Sequence, residues 1–332
     1  MIRIDEERIF DVLRQRKPRI VAFNGPEGIM RKIQEVADKV SDEFNIPAYI
    51  IGDTCYGSCD INFHAAEMIG ADILFHIGHS ISMDDFGHKV VFIDAFDDIS
   101  FDFVAEKCAS ELKGYRALSI VTDSQHLHQV QRVREILENH GFNVIIGKGK
   151  GQLNDGQVFG CEFYPAFEAK DMTDAYVFLG QSSFHAAGVA LSSGKPTYIL
   201  DPYFNEIRDV TTFALGLRKK SILSIYKALD ARVIGLVVGL KEGQLMLNRV
   251  LELKKEFERH GKKVQLIALT EVTDDRLLVF NNIDAFIQVA CPRISIDNAF
   301  TKPVLSVPQA NALIRLLNKE SIDDFLKVPH WL

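Results

Sequence analysis

The chain has little of what would make several function classes easy to assign. Five cysteines in 332 residues, an odd number at wide spacings, do not make a disulfide framework. A reducing cytoplasm is therefore the expected compartment, and there a scattered cysteine is either a packing residue or a ligand or nucleophile. No apolar run reaches the length a membrane span needs. The opening stretch, "MIRIDEERIFDVLRQRK", is charged throughout and lacks the apolar core of a secretion signal. Basic residues do not dominate either: 38 Lys and Arg stand against 45 Asp and Glu, a net charge of −7. That balance excludes nucleic-acid binding through overall charge and leaves only a local basic patch open. Neither of the common phosphate-cradling loops is present. "GKGKGQ" (147–152) has glycines and lysines after a strand but not the G-x-x-x-x-G-K-[ST] order, and no G-x-G-x-x-G follows the first strand.

What is present is an ordinary soluble composition, 47% hydrophobic and 25% charged, in a chain long enough for two or three domains. Three segments open alike, with the apolar runs "RIVAFNG" (19–25), "ALSIVTD" (117–123) and "RVIGLVVG" (232–239). A helical pattern follows each. In the first, Ile29, Ile33, Val36, Ala37, Val40 and Phe44 recur at helical spacing behind Pro26, and in the second Leu127, Val130, Val133 and Leu137 do so. In the third the pattern is "LMLNRVLELKKEF". The helices stop at Asn45, Gly141 and Gly261, residues suited to a left-handed stop, and a second strand follows. A third strand then opens at Asp72, Asp174 and Asp284, and a fourth follows in "KVVFID", "PTYILDP" and "KPVLSVP".

This alternation predicts an α/β fold of three related Rossmann-like units. Each unit is a small parallel sheet flanked by helices, and the three are arranged with pseudo-threefold symmetry around a central cluster. The expected divisions are 1–106, 107–215 and 216–332. Such sheets place chemistry at the carboxyl ends of their strands. Cys55 and Cys59 follow strand two of the first unit, Cys161 lies in the loop beyond strand two of the second, and Cys291 ends strand three of the third. Cys108 falls on a helix away from those ends and reads as a packing residue.

One cysteine from each unit can thus converge at the centre. Three thiolates suit a [4Fe-4S] cluster with one iron free of protein ligands. Zinc with a water is the rival, and no metal at all stays open. Histidines at alternate strand positions, His76 and His79 in "FHIGHS" and His185 in "SSFHAAG", read as hydrogen-bonded wall residues rather than ligands. His79 and Ser182 occupy the position that Cys291 takes in its own copy, so with Gly78 they are candidates for lining the central cavity. Arg293 can clamp a carboxylate with two prongs or pair with Asp297. The glycines of "GLVVGLKEG" (235–243) fit close helix–sheet packing or a cofactor contact, and "GLRKKS" (216–221), the one compact basic run, fits a solvated helix start or a docking point.

At "DTCYGSCDI", "FHIGHS", "GQVFGC", "FLGQSSFHAAGVAL" and "VACPRISIDNAFTKPVL" the sequence resembles the archaeal family of 2-(3-amino-3-carboxypropyl)histidine synthases, along nearly the whole chain. The resemblance implies that Cys59, Cys161 and Cys291 hold the cluster, with Cys55 outside it. It also implies S-adenosylmethionine as cosubstrate, for which Gly78, His79, Ser182 and Arg293 are the candidate contacts by their strand-end positions. The implied reaction, the first step of diphthamide biosynthesis, makes a 3-amino-3-carboxypropyl radical and methylthioadenosine. The radical adds to carbon 2 of a histidine imidazole in translation elongation factor 2. A homodimer and an external electron donor belong to the same expectation. In this family a cysteine often follows the first ligand in eukaryotic members, whereas here Asp60 does. Quinolinate synthase resembles the plan too, with the cluster as a Lewis acid, and a cluster-bearing scaffold without its own activity is the non-enzyme alternative.

Overall fold

The computed structural model describes residues 2–79 and 89–332. Ser80, the last residue of "FHIGHS", lies outside them. Three parallel sheets are each built in one strand order: second, first, third, fourth. In the first sheet these are Ala48–Ile50, Val21–Asn24, Ile73–Ile77 and Val90–Ile93. In the second they are Asn143–Ile145, Ala117–Thr122, Ala175–Leu179 and Thr197–Asp201, with Glu206–Asp209 added antiparallel at the edge. In the third they are Lys263–Leu269, Val233–Gly239, Ala285–Val289 and Val304–Leu305. A short antiparallel pair, Ile2–Ile4 with Ala95–Asp97, ties the start of the chain to the end of the first unit.

The apolar runs explain the layering. Val21–Asn24, Ile73–Ile77 and Ala175–Leu179 are buried at every position, which a strand needs only when both sheet faces are covered. The helix Met30–Phe44 supplies one such cover with Ile33, Val36, Ala37 and Val40. The helices Val130–Asn139 and Leu247–Arg259 repeat the device in the other two units. The expected stops are present: Asn45 has φ 52°, Gly141 89° and Gly261 73°, the left-handed region that asparagine tolerates and glycine enters freely. Cys108 is fully buried among Val104, Ala105 and Leu118, a packing residue as expected.

One repeated detail ties the three copies together more tightly than the strand order. Asp72 accepts the backbone N–H groups of Arg19 (2.7 Å) and Ile20 (3.3 Å). Asp174 accepts those of Arg116 (2.8 Å) and Ala117 (2.9 Å), and Asp284 those of Arg232 (2.8 Å) and Val233 (2.9 Å). Each aspartate thus latches the start of strand three onto the start of strand one. The backbone donors hold all three carboxyls below the usual carboxylate range.

Two helices run across the expected divisions at 106/107 and 215/216. Asp102–Glu111 packs Val104, Ala105 and Cys108 against Leu118, Ile120 and Val177 of the second sheet. Thr211–Ala228 gives Ala214, Leu217 and Ile225 to a core that contains both Phe178 and Leu236. We therefore propose divisions in the loops before these helices, near residues 100 and 210. The end of the chain also leaves the third unit. Trp331, the single tryptophan, is fully buried with its ring 4.8 Å from that of Phe163, and its Nε1–H donates to Leu326 O (3.0 Å).

Candidate functional site

The three strand-end cysteines sit on loops that neighbouring units hold in place. Cys59 lies against the third unit. The Gly243 N–H donates to Cys59 O (3.0 Å), and a Cβ on Gly243 would stand 2.5 Å from Cys59 Cα, so only glycine allows this approach. Gln244 Nε2 lies 3.5 Å from Cys59 Sγ. The next residue, Asp60, is buried and paired with Lys241, whose Nζ also reaches Glu271 (2.8 Å) and stands 4.3 Å from the Tyr56 ring centroid. The "GLVVGLKEG" run is thereby divided. Gly235 and Gly239 serve close packing against Phe286 and Ala290, while Gly243 and Lys241 clasp the Cys59 loop.

Cys161 is held from the end of the chain. The Trp331 N–H donates to Cys161 O (3.0 Å), and the Phe163 N–H donates to Pro329 O (2.7 Å). Cys291 directly precedes the short helix Pro292–Asp297, and Gln288 Nε2 donates to its carbonyl (2.8 Å). The three residues keep some exposed surface, yet their sulfurs lie deep enough that burial raises every thiol, Cys291 to about 11. Cys59 and Cys291 also disfavour ionisation of Cys161, and Cys59 disfavours that of Cys291. The structure thus brings Cys59, Cys161 and Cys291 into one electrostatic neighbourhood from three different sheets. Among the described residues Cys55, His76 and His79 form a three-ligand set whose ligand atoms lie within 4.8 Å of one another.

Arg293 is buried beside them. Its Nε pairs with Asp297 (2.7 Å), and its guanidinium carbon lies 3.8 Å from the Phe184 ring centroid. Nη1 and Nη2 are buried without a hydrogen-bond partner among the described residues. Two orphaned donors cost free energy unless an acceptor is supplied. The two expectations for Arg293 are therefore compatible: the Asp297 pair takes one edge and leaves a two-pronged edge open. Ser182 caps the helix Ser183–Ser193, accepting the His185 N–H (3.3 Å), and lies 2.7 Å from His185 Nδ1. His185 stacks on Phe178, and burial, with Arg293 and His79 nearby, lowers it to about 3. Gly78 ends its strand at φ 92°, and its carbonyl faces Ser124 Oγ (3.4 Å). His79 lies 3.2 Å from His76 Nε2 through its Nδ1.

Other motifs settle into supporting roles. In "GKGKGQ" a Cβ on Gly147 or Gly149 would strike the carbonyl of Pro165 or Leu153, and Lys148 pairs with Asp155 (2.7 Å). "GLRKKS" lies within the helix Thr211–Ala228 rather than at its start. Surface clefts of about 430 and 550 Å³ flank that helix and contain none of the three cysteines. Lys241, Gln244 and Trp331 have no counterpart in the sequence expectations. The first two follow strand one of the third unit, so the strand-end rule that located the cysteines could have found them; Trp331 carries no periodic signal.

Comparison with known proteins follows the same lines. Residues 25–325 match the family model described as "Putative diphthamide synthesis protein". The 2-(3-amino-3-carboxypropyl)histidine synthase of Pyrococcus horikoshii is 31% identical, covering 98% of this chain and 94% of that protein. Subunit 1 of the Schizosaccharomyces pombe enzyme is 30% identical over 92% of this chain and 72% of its own. The crystal structure of Dph2 from Pyrococcus horikoshii with a 4Fe-4S cluster superposes with a TM-score of 0.86 at 30% identity, covering 99% of this chain and 96% of that one.

Proposed function

The chain belongs to the diphthamide synthesis protein family, and from that premise we propose that it is a 2-(3-amino-3-carboxypropyl)histidine synthase. In this reading it moves the 3-amino-3-carboxypropyl group of S-adenosylmethionine to carbon 2 of a histidine imidazole in translation elongation factor 2. The observation that carries the reading is the meeting of three thiols from three sheets beside a buried guanidinium with two free donors. Three soft thiolates fit an iron–sulfur group. Cys59, Cys161 and Cys291 would hold a [4Fe-4S] cluster. When bound, that group supplies one electron to the sulfonium and, with three protein ligands, leaves one iron open.

The chain's own residues then do the selecting. Arg293 offers Nη1 and Nη2 to the carboxylate of the aminocarboxypropyl arm, while Asp297 fixes the guanidinium plane and Phe184 covers one side. Holding that arm in one pose decides which carbon–sulfur bond is aligned to break. Gly78, at its strand-end turn, and His79 and Ser182 are the further cofactor contacts in the proposal. The Gly243 and Lys241 contacts to the Cys59 loop and the Trp331 contact to Cys161 O position two thiols without touching substrate. Among the described residues no helix is long and apolar enough to cross a membrane. A homodimer and an external one-electron donor complete the proposed assembly.

The test is anaerobic incubation of the reduced, iron-loaded protein with S-adenosylmethionine and elongation factor 2. Methylthioadenosine and a mass gain on one substrate histidine are expected. Intact S-adenosylmethionine, or 5′-deoxyadenosine in place of methylthioadenosine, would refute the reading.

A further inference from the structure

The cysteine that the proposed site leaves over is not isolated. Cys55, four residues before Cys59, has its Sγ 3.7 Å from His79 Nδ1, and that same Nδ1 lies 3.2 Å from His76 Nε2. All three ligand atoms fall within 4.8 Å of one another. The hydrogen bonds behind them fix which atoms carry lone pairs. Asn24 donates its Nδ2 to Ile61 O, so its Oδ1 faces His76 Nδ1 at 2.9 Å and accepts that proton. His76 Nε2 is left as a bare acceptor pointing at His79. Asn24 and His76 are both fully buried, and Cys55 is nearly so. An imidazole held by a carbonyl oxygen on its far nitrogen is the arrangement that supports metal-ligating histidines.

Two of the three edges have the right lengths, and the third, Cys55 Sγ to His76 Nε2, lies within 4.8 Å. With metal–nitrogen bonds of about 2.05 Å and a metal–sulfur bond of about 2.3 Å, tetrahedral ligation places two nitrogens about 3.35 Å apart and a nitrogen and sulfur about 3.6 Å apart. The observed values, 3.2 and 3.7 Å, lie close to both. In the metal-free chain a relay accounts for these contacts, with His79 Nδ1–H donating to His76 Nε2 and the Cys55 thiol donating to Gly57 O (3.9 Å); the same three ligand atoms can exchange those protons for a cation. We propose that Cys55, His76 and His79 form a second, mononuclear site for a borderline-soft divalent cation, with Zn²⁺ as the matching ion. It shares no ligand with the three-cysteine site, although His79 is also among the proposed cofactor contacts, and it would pin the Cys55–Cys59 loop to the tip of the strand Ile73–Ile77.

The proton balance is simple. The Cys55 thiol loses its proton to solvent, and the His79 proton moves from Nδ1 to Nε2, so binding releases one proton per ion. Three protein ligands leave a fourth position for water.

The experiment uses the iron-loaded full chain, in which the cluster thiols are occupied, with one equivalent of ZnCl₂ under anaerobic conditions followed by desalting. The expected result is one zinc per chain with iron and sulfide unchanged. Its zinc K-edge spectrum should contain one sulfur near 2.3 Å and two imidazole nitrogens near 2.0–2.1 Å. Cys55→Ala and His79→Gln should each weaken zinc at least 10-fold, whereas the Cys59→Ala/Cys161→Ala/Cys291→Ala variant should keep it. No retained zinc in the wild-type chain, a spectrum without sulfur, or retention by Cys55→Ala would overturn the site. Loss in the triple variant would assign the ion to the cluster thiols and overturn it equally. Should a variant fail to fold, the wild-type spectrum alone decides.

Discussion

The two ends of the three sheets follow opposite rules. At the amino ends the copies are nearly identical: an aspartate opening strand three accepts two backbone N–H groups from the start of strand one, at Asp72, Asp174 and Asp284. At the carboxyl ends, seven residues beyond those aspartates, stand three different side chains, His79, Gln181 and Cys291, and Ser182 lies one residue further on. The first end has one task, closing a strand pair, which one side chain performs three times. The second end has to build one asymmetric centre, so each copy contributes a different part. A triplicated scaffold and a single site are therefore consistent, because repetition is confined to where it stabilises and divergence to where it reacts.

Changes at the carboxyl ends should have the largest effects. Replacing Cys59, Cys161 or Cys291 with alanine is expected to abolish bound iron and sulfide after anaerobic purification, and Cys55→Ala to leave both in place. Equal loss in all four variants would merge the two proposed sites into one. Next comes Lys241→Met, which leaves Asp60 and Glu271 without their shared buried cation. Removing one partner of a buried pair costs about 3–5 kcal/mol. Chemical denaturation should register that loss, and iron content should fall because the Cys59 loop loses its clasp. Arg293→Leu is smaller in stability and specific in binding. Losing hydrogen bonds to a charged carboxylate, about 1.5–3 kcal/mol, weakens S-adenosylmethionine by roughly 10- to 150-fold. Calorimetry on the iron-loaded variant should show this with iron unchanged, and unaltered affinity would rule out the clamp.

The amino ends give the smallest effect and the clearest sign. Their carboxyls are held below the ordinary aspartate value near 3.9 by backbone donors. The latch is thus fully present above about pH 4 and is lost as pH falls through the lowered folded-state values. A triple variant, Asp72→Asn, Asp174→Asn and Asp284→Asn, should lower stability modestly at pH 7 and flatten its decline between pH 5 and 2. An unchanged acid profile would mean that the latches contribute nothing through their charge.

The same division explains what the sequence disclosed. The strand–helix alternation, the helix stops at Asn45, Gly141 and Gly261, and the aspartate landmarks were readable because each recurs, and recurrence separates signal from accident. The strand-end rule placed Cys55, Cys59, Cys161 and Cys291 on one side of their sheets, and the choice of Cys59 over Cys55 came from the family resemblance. The supports of those cysteines were not readable. Lys241 reaches Asp60 across 181 positions, and Trp331 returns to the second unit from the far end of the chain. Each occurs once, so no period or motif announces it. The helices Asp102–Glu111 and Thr211–Ala228 span the expected divisions at 106 and 215, because a helix that begins one unit's cover has the same apolar stripe as one that ends its neighbour's.

The most direct measurement of the central claim is a Mössbauer spectrum of the chain reconstituted with ⁵⁷Fe, recorded before and after addition of S-adenosylmethionine. Three thiol ligands around one cube predict four irons per chain in a three-to-one pattern, with only the single iron altered by the cosubstrate. Four equivalent irons that ignore S-adenosylmethionine, or fewer than four irons bound, would contradict the account.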